Sequence, residues 1–279
     1  IVHNRRVVEE LREEGAVFVP EIDDVPDGAV VIFSAHGVAE RVVAAARQRG
    51  LRIIDATCPL VTKVHREVKR HIAEGRQVIM IGHRGHPEVE GTMGQAPEGE
   101  VLLVENEADV EGLKVRDPER LAFVTQTTLS VDDAARIVAA LKKRFPHIVG
   151  PRRDDICYAT TNRQAAVKAI AARADVVLIV GSPNSSNSNR LREIAEAKGA
   201  RAYLIEGAEG LREAMLEGAR TVGISAGASA PEEAVQELIA TIRKRAPKAE
   251  IEEVTVAEEQ IVFPLPPELR GVASRPAHG

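Results

Sequence analysis

The stretch CPLVTKVHREVKRHIAEGRQVIMIG, residues 58–82, returns without a gap as CYATTNRQAAVKAIAARADVVLIVG at residues 157–181. Each copy predicts a turn at a cysteine, an amphipathic helix and a buried apolar strand that ends in glycine. A strand that follows a helix in this way is typical of an α/β protein with parallel sheets. Besides the cysteines, the two copies share Thr62 and Thr161, Val68 and Val167, Lys69 and Lys168, Ala73 and Ala172, Val78 and Val177, and Gly82 and Gly181.

The similarity between the two copies continues beyond these stretches. A polar loop follows each glycine, HRGHPEVEG in the first copy and SPNSSNSNR in the second. Two further strands are then predicted in each copy, and the second leads into a helix with acidic residues in its first turn. These strands are EVLLVE (100–105) and LAFVTQTTLS (121–130) in the first copy, and RAYLIE (201–206) and TVGISAGASA (221–230) in the second.

The residues ahead of Cys58 fit the same plan with its beginning absent. They offer a polar loop (IVHN), a helix (4–14), the strands AVFVP (16–20) and GAVVIF (28–33), a helix (38–49) and the strand LRIIDAT (51–57). The sequence therefore predicts an α/β fold of three similar units with mainly parallel four-stranded sheets around a pseudo-threefold axis. The predicted units are residues 1–57, 58–156 and 157–257, followed by a C-terminal strand (EEQIVF, 258–263) and a flexible Pro-rich tail to residue 279.

Composition excludes several classes of function. The net charge is −5, aromatic residues make up 3% and Trp is absent, so neither a nucleic acid nor a membrane surface is expected as a partner. No apolar run approaches the roughly 20 residues that span a bilayer. Two cysteines at positions 58 and 157 do not resemble a disulfide framework, which favours a reducing cytoplasm.

The two aligned cysteines predict a metal site at the centre of the units. Ligands of α/β sheets gather beyond the carboxyl ends of strands, and lone thiolates that meet there suit an iron–sulfur cluster. The repeat predicts a third cysteine roughly 25–30 residues ahead of Ile1, so that the 279-residue chain alone is expected to be inactive. Zinc is a rival, although it favours close Cys pairs, and two unrelated buried cysteines are the structural alternative.

The loops at the predicted strand ends carry side chains that suit an anion, above all a phosphate. Glu88 is the one carboxylate among these donors, as expected of a proton-transfer group. Taken alone, the NSSNSN loop could equally be a solvated turn with a helix cap. The candidate donors are His3, His36, His86, Thr127, Ser185, Ser186, Asn187 and Ser229.

These segments together resemble the 4-hydroxy-3-methylbut-2-enyl diphosphate reductase family from residue 1 to about residue 270. The motifs that carry the resemblance are IVHN, SAHG, DATCPLVTKVH, GHPEVEGTMGQ, TQTTLSVDD, DDICYATTNRQ, SSNSNRL and SAGASAPE. The resemblance implies that Cys58 and Cys157 hold a [4Fe–4S] cluster and that Glu88 and Thr127 are catalytic. It also implies that the substrate is bound by His3, His36, His86, Ser185, Ser186, Asn187 and Ser229.

The resemblance further implies a reductive dehydroxylation. The open iron of the cluster would bind the allylic hydroxyl of the substrate, and a ferredoxin or flavodoxin would supply electrons one at a time. Protonation through Glu88 would release water and yield isopentenyl and dimethylallyl diphosphates. Two alternatives stay open: a cluster-less diphosphate-binding module and a cluster-dependent hydro-lyase.

Overall fold

The computed structural model describes residues 3–270 of the chain. Their strands form three separate parallel sheets, and each sheet takes its strands from one predicted unit. The strands are β1 (Val30–Phe33), β2 (Arg52–Asp55), β3 (Gln77–Ile81), β4 (Val101–Val104), β5 (Leu121–Thr125), β6 (Val176–Val180), β7 (Arg201–Ile205) and β8 (Val222–Ala226).

Helices connect the strands, as parallel pairing requires. They are α1 (Arg5–Glu13), α2 (Glu40–Gln48), α3 (Pro59–Ala73), α4 (Pro87–Met93), α5 (Glu107–Gly112), α6 (Val131–Arg144), α7 (Tyr158–Ala171), α8 (Ser186–Ala197), α9 (Glu213–Leu216) and α10 (Glu232–Arg245). Short 3₁₀ turns lie at Ile22–Asp24, Ala208–Gly210 and Pro267–Leu269. Within residues 3–270, no helix combines the length and the apolar character needed to cross a membrane.

The second and third sheets have the same topology. Their strand orders are β4-β3-β5 and β7-β6-β8, with the strand of the quoted repeat in the centre. Both central strands are buried along their whole length because helices cover both faces of each sheet. Ile79 packs towards α6, for example, while Val78 packs towards α3. The gapless sequence repeat is therefore a repeat of structure.

The predicted four-stranded sheets are not formed: within residues 3–270 the sheets have two, three and three strands. A fourth strand begins in the second unit, where Val149 forms one isolated bridge to Ala122. Phe123 N donates to Val149 O at 2.9 Å and Val149 N donates to Leu121 O at 3.1 Å. Pro151 follows two residues later, and a proline cannot continue the ladder because it lacks an N–H donor.

Two predicted strands are also absent from the described residues. AVFVP (16–20) and EEQIVF (258–263) carry β-forming side chains, but neither segment is assigned to a sheet. The side chains of Val17 and Val262 are 85% and 89% exposed, so they do not pack against a neighbouring strand or helix. β-propensity mainly reflects packing against neighbours, and these segments lack such neighbours. The predicted tail is described only as far as residue 270, and its last nine residues lie outside the described range.

The connection between the first and second units depends on glycines. Gly91 of α4 lies against the carbonyl oxygen of Gly37, which directly follows His36. A Cβ added to Gly91 would lie 2.9 Å from that oxygen. Because a backbone oxygen cannot move aside cheaply, any larger residue at position 91 must separate α4 from the His36 loop.

We therefore expect Gly91→Ala to destabilise the protein by about 1–3 kcal/mol, as overpacking does in well-packed interiors. Gly112→Ala is the matched control, because a Cβ there meets nothing within 4 Å. The control should change stability by less than about 1 kcal/mol, in the stabilising direction. Urea denaturation measures both, and equal midpoints for Gly91→Ala and the unmodified protein would contradict the expectation.

Candidate active site

Both cysteines lie at the joint between one unit and the next. Cys58 is the residue before α3 and Cys157 the residue before α7, and both are half-buried free thiols. Cys58 N donates to Ala35 O and Cys157 N donates to Thr127 O, each at 3.0 Å. The two accepting carbonyls occupy the loops that follow β1 and β5. Each thiol is thus fixed to the helix of its own unit and to a strand-end loop of the preceding unit.

The Cys157 thiol lies in a polar but largely buried setting. Its Sγ is 2.9 Å from the Thr160 hydroxyl and accepts a hydrogen bond from Thr160 N at 3.2 Å. Burial raises the pKa of the Cys157 thiol, the bonds from Thr160 oppose that change, and nearby Cys58 and Glu88 raise the pKa further. Cys157 N donates to the Thr127 carbonyl and Thr127 donates to Glu88, so the predicted ligand Cys157 and the predicted acid Glu88 both contact Thr127.

Glu88 and Thr127, both predicted to be catalytic, form a buried hydrogen-bonded pair. Glu88 is 2% exposed. Thr127 N donates to Glu88 Oε1 at 2.6 Å, and Thr127 Oγ1 donates to Glu88 Oε2 at 2.8 Å. Burial raises the pKa of Glu88 to about 7 against the opposing effect of both hydrogen bonds. The carboxyl can therefore be protonated or ionised near neutral pH, which suits proton transfer.

The three predicted histidines form a triangle of imidazoles. The ring centroids of His3 and His36 are 4.3 Å apart, and those two rings lie 5.5 Å and 5.7 Å from His86. His86 Nδ1 accepts a hydrogen bond from Glu88 N at 3.1 Å, so the proton of the neutral ring is carried by Nε2. His3 Nε2 is buried and has no hydrogen-bond partner within residues 3–270. The triangle thus has unused hydrogen-bonding capacity.

Burial keeps this triangle uncharged. Burial, together with the smaller effect of the neighbouring histidines, lowers the pKa of His36 to about 3 and that of His86 to about 4. The pKa of His3 is also lowered, mainly by burial. Three imidazolium ions in this space would repel one another, whereas a bound anion would stabilise them.

Three of the four predicted donors of the third unit lie at the start of α8, and the fourth, Ser229, follows β8. Ser185 is the cap of α8 and accepts from Ser188 N at 3.3 Å and from Ser188 Oγ at 3.0 Å. Both polar side-chain atoms of Asn187 are buried and have no partner among the described residues. An unpaired buried amide is costly, which indicates that Asn187 is arranged for a ligand. Ser229 Oγ donates to His3 O at 3.1 Å, so this unit also contacts the histidine triangle.

A cleft of about 500 Å³ opens beside these residues. It passes His3, His86 and Ser186 and continues to a rim of charged and amide side chains. The cleft therefore connects the predicted binding residues with solvent. Its rim consists of His83, Arg84, Asn184, Asn189, Arg190 and Glu193.

Arg190 is a neighbour of the site that the sequence analysis did not single out. Its guanidinium group contacts Asp133 at 3.1 Å, Glu193 at 2.6 Å and Nε2 of His83 at 3.3 Å. It thereby joins α8 to the second unit across the cleft. A signal was available in its spacing, because Arg190 follows Ser186 by four residues and so lies on the same helix face.

An α/β protein that gathers thiols, imidazoles and a buried carboxyl beyond the ends of parallel strands belongs to the class of enzymes with a central ligand site. The family described as LytB protein matches residues 1–243. The chain belongs to this family, and its curated relatives are named as reductases, which confirms the resemblance and the oxidoreductase class predicted from the motifs.

Two relatives show the extent of the similarity. The 4-hydroxy-3-methylbut-2-enyl diphosphate reductase of Methylococcus capsulatus is 58% identical over 272 residues, which cover 97% of this chain and 87% of the relative. The protein of the same name from Alcanivorax borkumensis is 59% identical over 273 residues, covering 97% and 88% of the two chains.

Two solved structures share the fold. The E-1-hydroxy-2-methyl-but-2-enyl-4-diphosphate reductase from Plasmodium falciparum is 37% identical with a TM-score of 0.94, covering 98% of this chain and 86% of that one. A structure described as (E)-4-hydroxy-3-methyl-but-2-enyl diphosphate reductase, the terminal enzyme of the non-mevalonate pathway, is 36% identical with a TM-score of 0.60, covering 88% and 86%. The predicted fold class of three α/β units with parallel sheets is confirmed, apart from the number of strands.

The uncharged histidines predict that anion binding takes up protons. Because burial holds their pKa values below neutral, a bound anion must raise those values before the rings become charged. We expect inorganic diphosphate to bind with net proton uptake at pH 7 and more weakly as the pH rises from 6 to 8. Calorimetry in two buffers of different ionisation enthalpy measures the uptake.

His36→Gln should reduce this proton uptake, whereas His147→Gln, at an exposed histidine, should leave it unchanged. The same heat in both buffers for the unmodified protein would contradict charging of the triangle.

The raised pKa of Glu88 predicts a pH-dependent stability. The folded value of about 7 lies above the ordinary 4.5, so the folded state retains a proton that the unfolded state releases between these values. The resulting stabilisation is present below pH 4.5 and is lost as the pH rises through 7. Glu88→Gln mimics the protonated form and should remove on the order of 1–3 kcal/mol of this dependence.

Urea denaturation of the metal-free protein between pH 4.5 and 8 measures this effect. Glu98→Gln, at an exposed glutamate, is the matched control and should follow the unmodified protein. If Glu88→Gln also follows it at every pH, Glu88 does not carry the retained proton.

Proposed function

We propose that this protein catalyses the reductive removal of the hydroxyl group of (E)-4-hydroxy-3-methylbut-2-enyl diphosphate, yielding isopentenyl and dimethylallyl diphosphates. The reaction consumes two electrons and two protons and releases the hydroxyl group as water. The observation that carries the proposal is that Cys157 N donates to the carbonyl of Thr127, whose hydroxyl group donates to the buried carboxyl of Glu88. The names of the relatives support the same reaction.

The residue types of the site fit binding of the diphosphate group. Neutral imidazoles of His3, His36 and His86 can take up protons as the anion arrives, and Asn187 offers an unpaired buried amide. Hydroxyl groups of Ser185, Ser186 and Ser229 complete the set of donors. Binding the diphosphate end would place the other end of the short substrate towards the thiols and restrict its orientation.

The proposed electron carrier is a [4Fe–4S] cluster with Cys58 and Cys157 among its ligands. The fit rests on donor chemistry, because free thiols lie at the starts of α3 and α7 and Cys157 Sγ accepts a hydrogen bond from Thr160 N, as cluster thiolates do. Within residues 3–270, no three His, Cys, Asp or Glu side chains form a metal-binding group by themselves. A bound cluster would supply single electrons and a Lewis-acidic iron.

Glu88 is the proposed proton donor. Its pKa of about 7 allows it to hold a proton at neutral pH and to release it to a leaving hydroxyl group. Thr127 Oγ1 lies 2.8 Å from the carboxyl group, so the threonine hydroxyl can orient the carboxyl and relay its proton. The low solvent exposure of both residues keeps bulk water from competing for that proton.

The electrons would come from a ferredoxin or a flavodoxin, since a one-electron carrier matches an iron–sulfur group. We further propose a cytoplasmic location, because both cysteines are free thiols that a reducing compartment would preserve.

The proposal predicts that the full-length protein, reconstituted anaerobically with iron and sulfide, reduces the substrate with a reduced viologen. Glu88→Gln should lower kcat by about 10²-fold or more, because it removes the proton donor. The same variant should retain bound iron, whereas Cys157→Ser should lose it. Glu98→Gln is the control and should behave as the unmodified protein.

Three outcomes would contradict parts of this account. Failure of the full-length protein to load iron, with diphosphate binding intact, would favour the cluster-less diphosphate-binding module. Turnover that requires no electron donor would favour a hydro-lyase. Full activity of Glu88→Gln would remove Glu88 from the mechanism.

A further inference from the structure

A partly buried ion pair joins α3 to the loop that precedes Cys157. The Asp155 side chain is fully buried, and Lys63 Nζ donates to Asp155 Oδ1 at 2.9 Å. The same ammonium group donates to the carbonyl oxygens of Arg153 at 2.5 Å and Asp154 at 3.0 Å. All three N–H groups of the Lys63 ammonium therefore donate to acceptors within residues 153–155.

This pair joins the segments that deliver the central residues. Lys63 lies on α3, five residues after Cys58, and Asp155 lies two residues before Cys157. The second oxygen of Asp155, Oδ2, accepts from Thr125 N at 3.0 Å, at the end of β5 and two residues before Thr127. One carboxylate thus connects the helix of the first thiol, the loop of the second and the strand end that leads to the Glu88 partner.

Stability alone does not account for such a pair. Burying the Asp155 carboxylate costs free energy that its attraction to the partly exposed Lys63 often fails to recover. The hydrogen bonds of the Lys63 ammonium group and the Asp155 carboxylate do, however, define the relative positions of the segments that they join. By contrast, Lys69 of the same helix pairs with Glu40 at the surface, where each side chain is about half exposed. Such exposed pairs contribute little.

The repeat supplies an internal comparison. The residue five positions after Cys157 is Asn162, which donates to Glu259 at 3.0 Å in an exposed position. Both helices therefore donate a hydrogen bond to a carboxylate from the same position, but only the contact from α3 is an ion pair and only it reaches a fully buried carboxylate. Among the described residues, the contact from α3 is also the one that ends in the loop directly before Cys157.

We propose that Lys63 and Asp155 are positioning residues that fix the relative placement of Cys58, Cys157 and the Thr127–Glu88 pair. The inference extends the proposed function, because its purpose is to hold the thiols for the cluster and the acid for proton transfer. Neither residue needs to touch the substrate. Their loss should therefore affect cluster retention and kcat while leaving the diphosphate-binding residues intact.

The test uses Lys63→Met in the reconstituted full-length protein, with Lys69→Met as the matched control on the same helix. We expect Lys63→Met to release iron to a chelator roughly 10–100-fold faster and to lose kcat to a similar extent, as outer-shell changes at metal sites do. The KM for the substrate should stay within about twofold of the unmodified value, because the binding residues are untouched. Lys63→Arg, which keeps the charge and several donors, should recover part of both losses.

Unchanged iron release and kcat in a folded Lys63→Met variant would overturn the proposal. So would an equal loss in Lys69→Met, because a surface pair would then matter as much. If Lys63→Met fails to fold, Lys63→Arg provides the test instead. A moderately faster iron release and a moderately lower kcat, with KM unchanged, would support a positioning role. A change in KM alone would contradict it.

A separate measurement on the metal-free protein distinguishes failure of this inference from failure of the proposed function. Loss of the Lys63 contacts should free the 153–157 loop, so that iodoacetamide alkylates Cys157 several-fold faster in Lys63→Met than in Lys69→Met. Mass spectrometry of the peptides reads this rate without any cluster. Equal rates would overturn the positioning role, whereas absence of iron in the unmodified protein would count against the cluster alone.

Discussion

One backbone hydrogen bond at each cysteine determines how the units of this protein meet. The N–H of Cys58 reaches the carbonyl of Ala35, and the N–H of Cys157 reaches that of Thr127. Each bond runs from the residue that caps a helix to a loop at the carboxyl end of a strand in the preceding unit. Because the thiols and the strand-end loops are joined in this way, the side chains of one unit are brought to the ligand site of the next.

Burial of the resulting centre has opposite effects on its acids and its bases. It raises the pKa of Glu88 to about 7 and lowers that of His36 to about 3. Both shifts favour the uncharged form, because a poorly solvated site penalises any charge. The diphosphate of the proposed substrate would add negative charge and so favour the protonated imidazoles. The protonation of the proposed site would then depend on whether an anion is bound, while Glu88, with its pKa of about 7, can be protonated or ionised near neutral pH.

The features that repeat along the chain, and the buried central strands, could be predicted from the sequence. The gapless spacing of Cys58 and Cys157 predicted equivalent helix starts, and the apolar runs predicted both central strands correctly. AVFVP (16–20) was wrongly predicted as a strand, because its pattern shows β-forming side chains but not whether a neighbour exists. Lys63 and Asp155 were missed for a related reason: a lysine on a helix and an aspartate in a polar loop look solvated until the fold brings them together.

The same repeat places different side chains at equivalent positions of the second and third units. His86 and Ser185 occupy equivalent positions as the caps of α4 and α8, and Glu88 and Asn187 follow two residues later in each. Gly82 and Gly181, which end the central strands, let both helix starts approach closely, since a Cβ at either would clash with the helix. The duplicated backbone therefore fixes where the side chains lie. Divergence at position 88 and at its counterpart 187 then places a buried carboxyl in one unit and a buried amide without a partner among the described residues in the other, which are the groups assigned above to proton transfer and anion binding as a proposal.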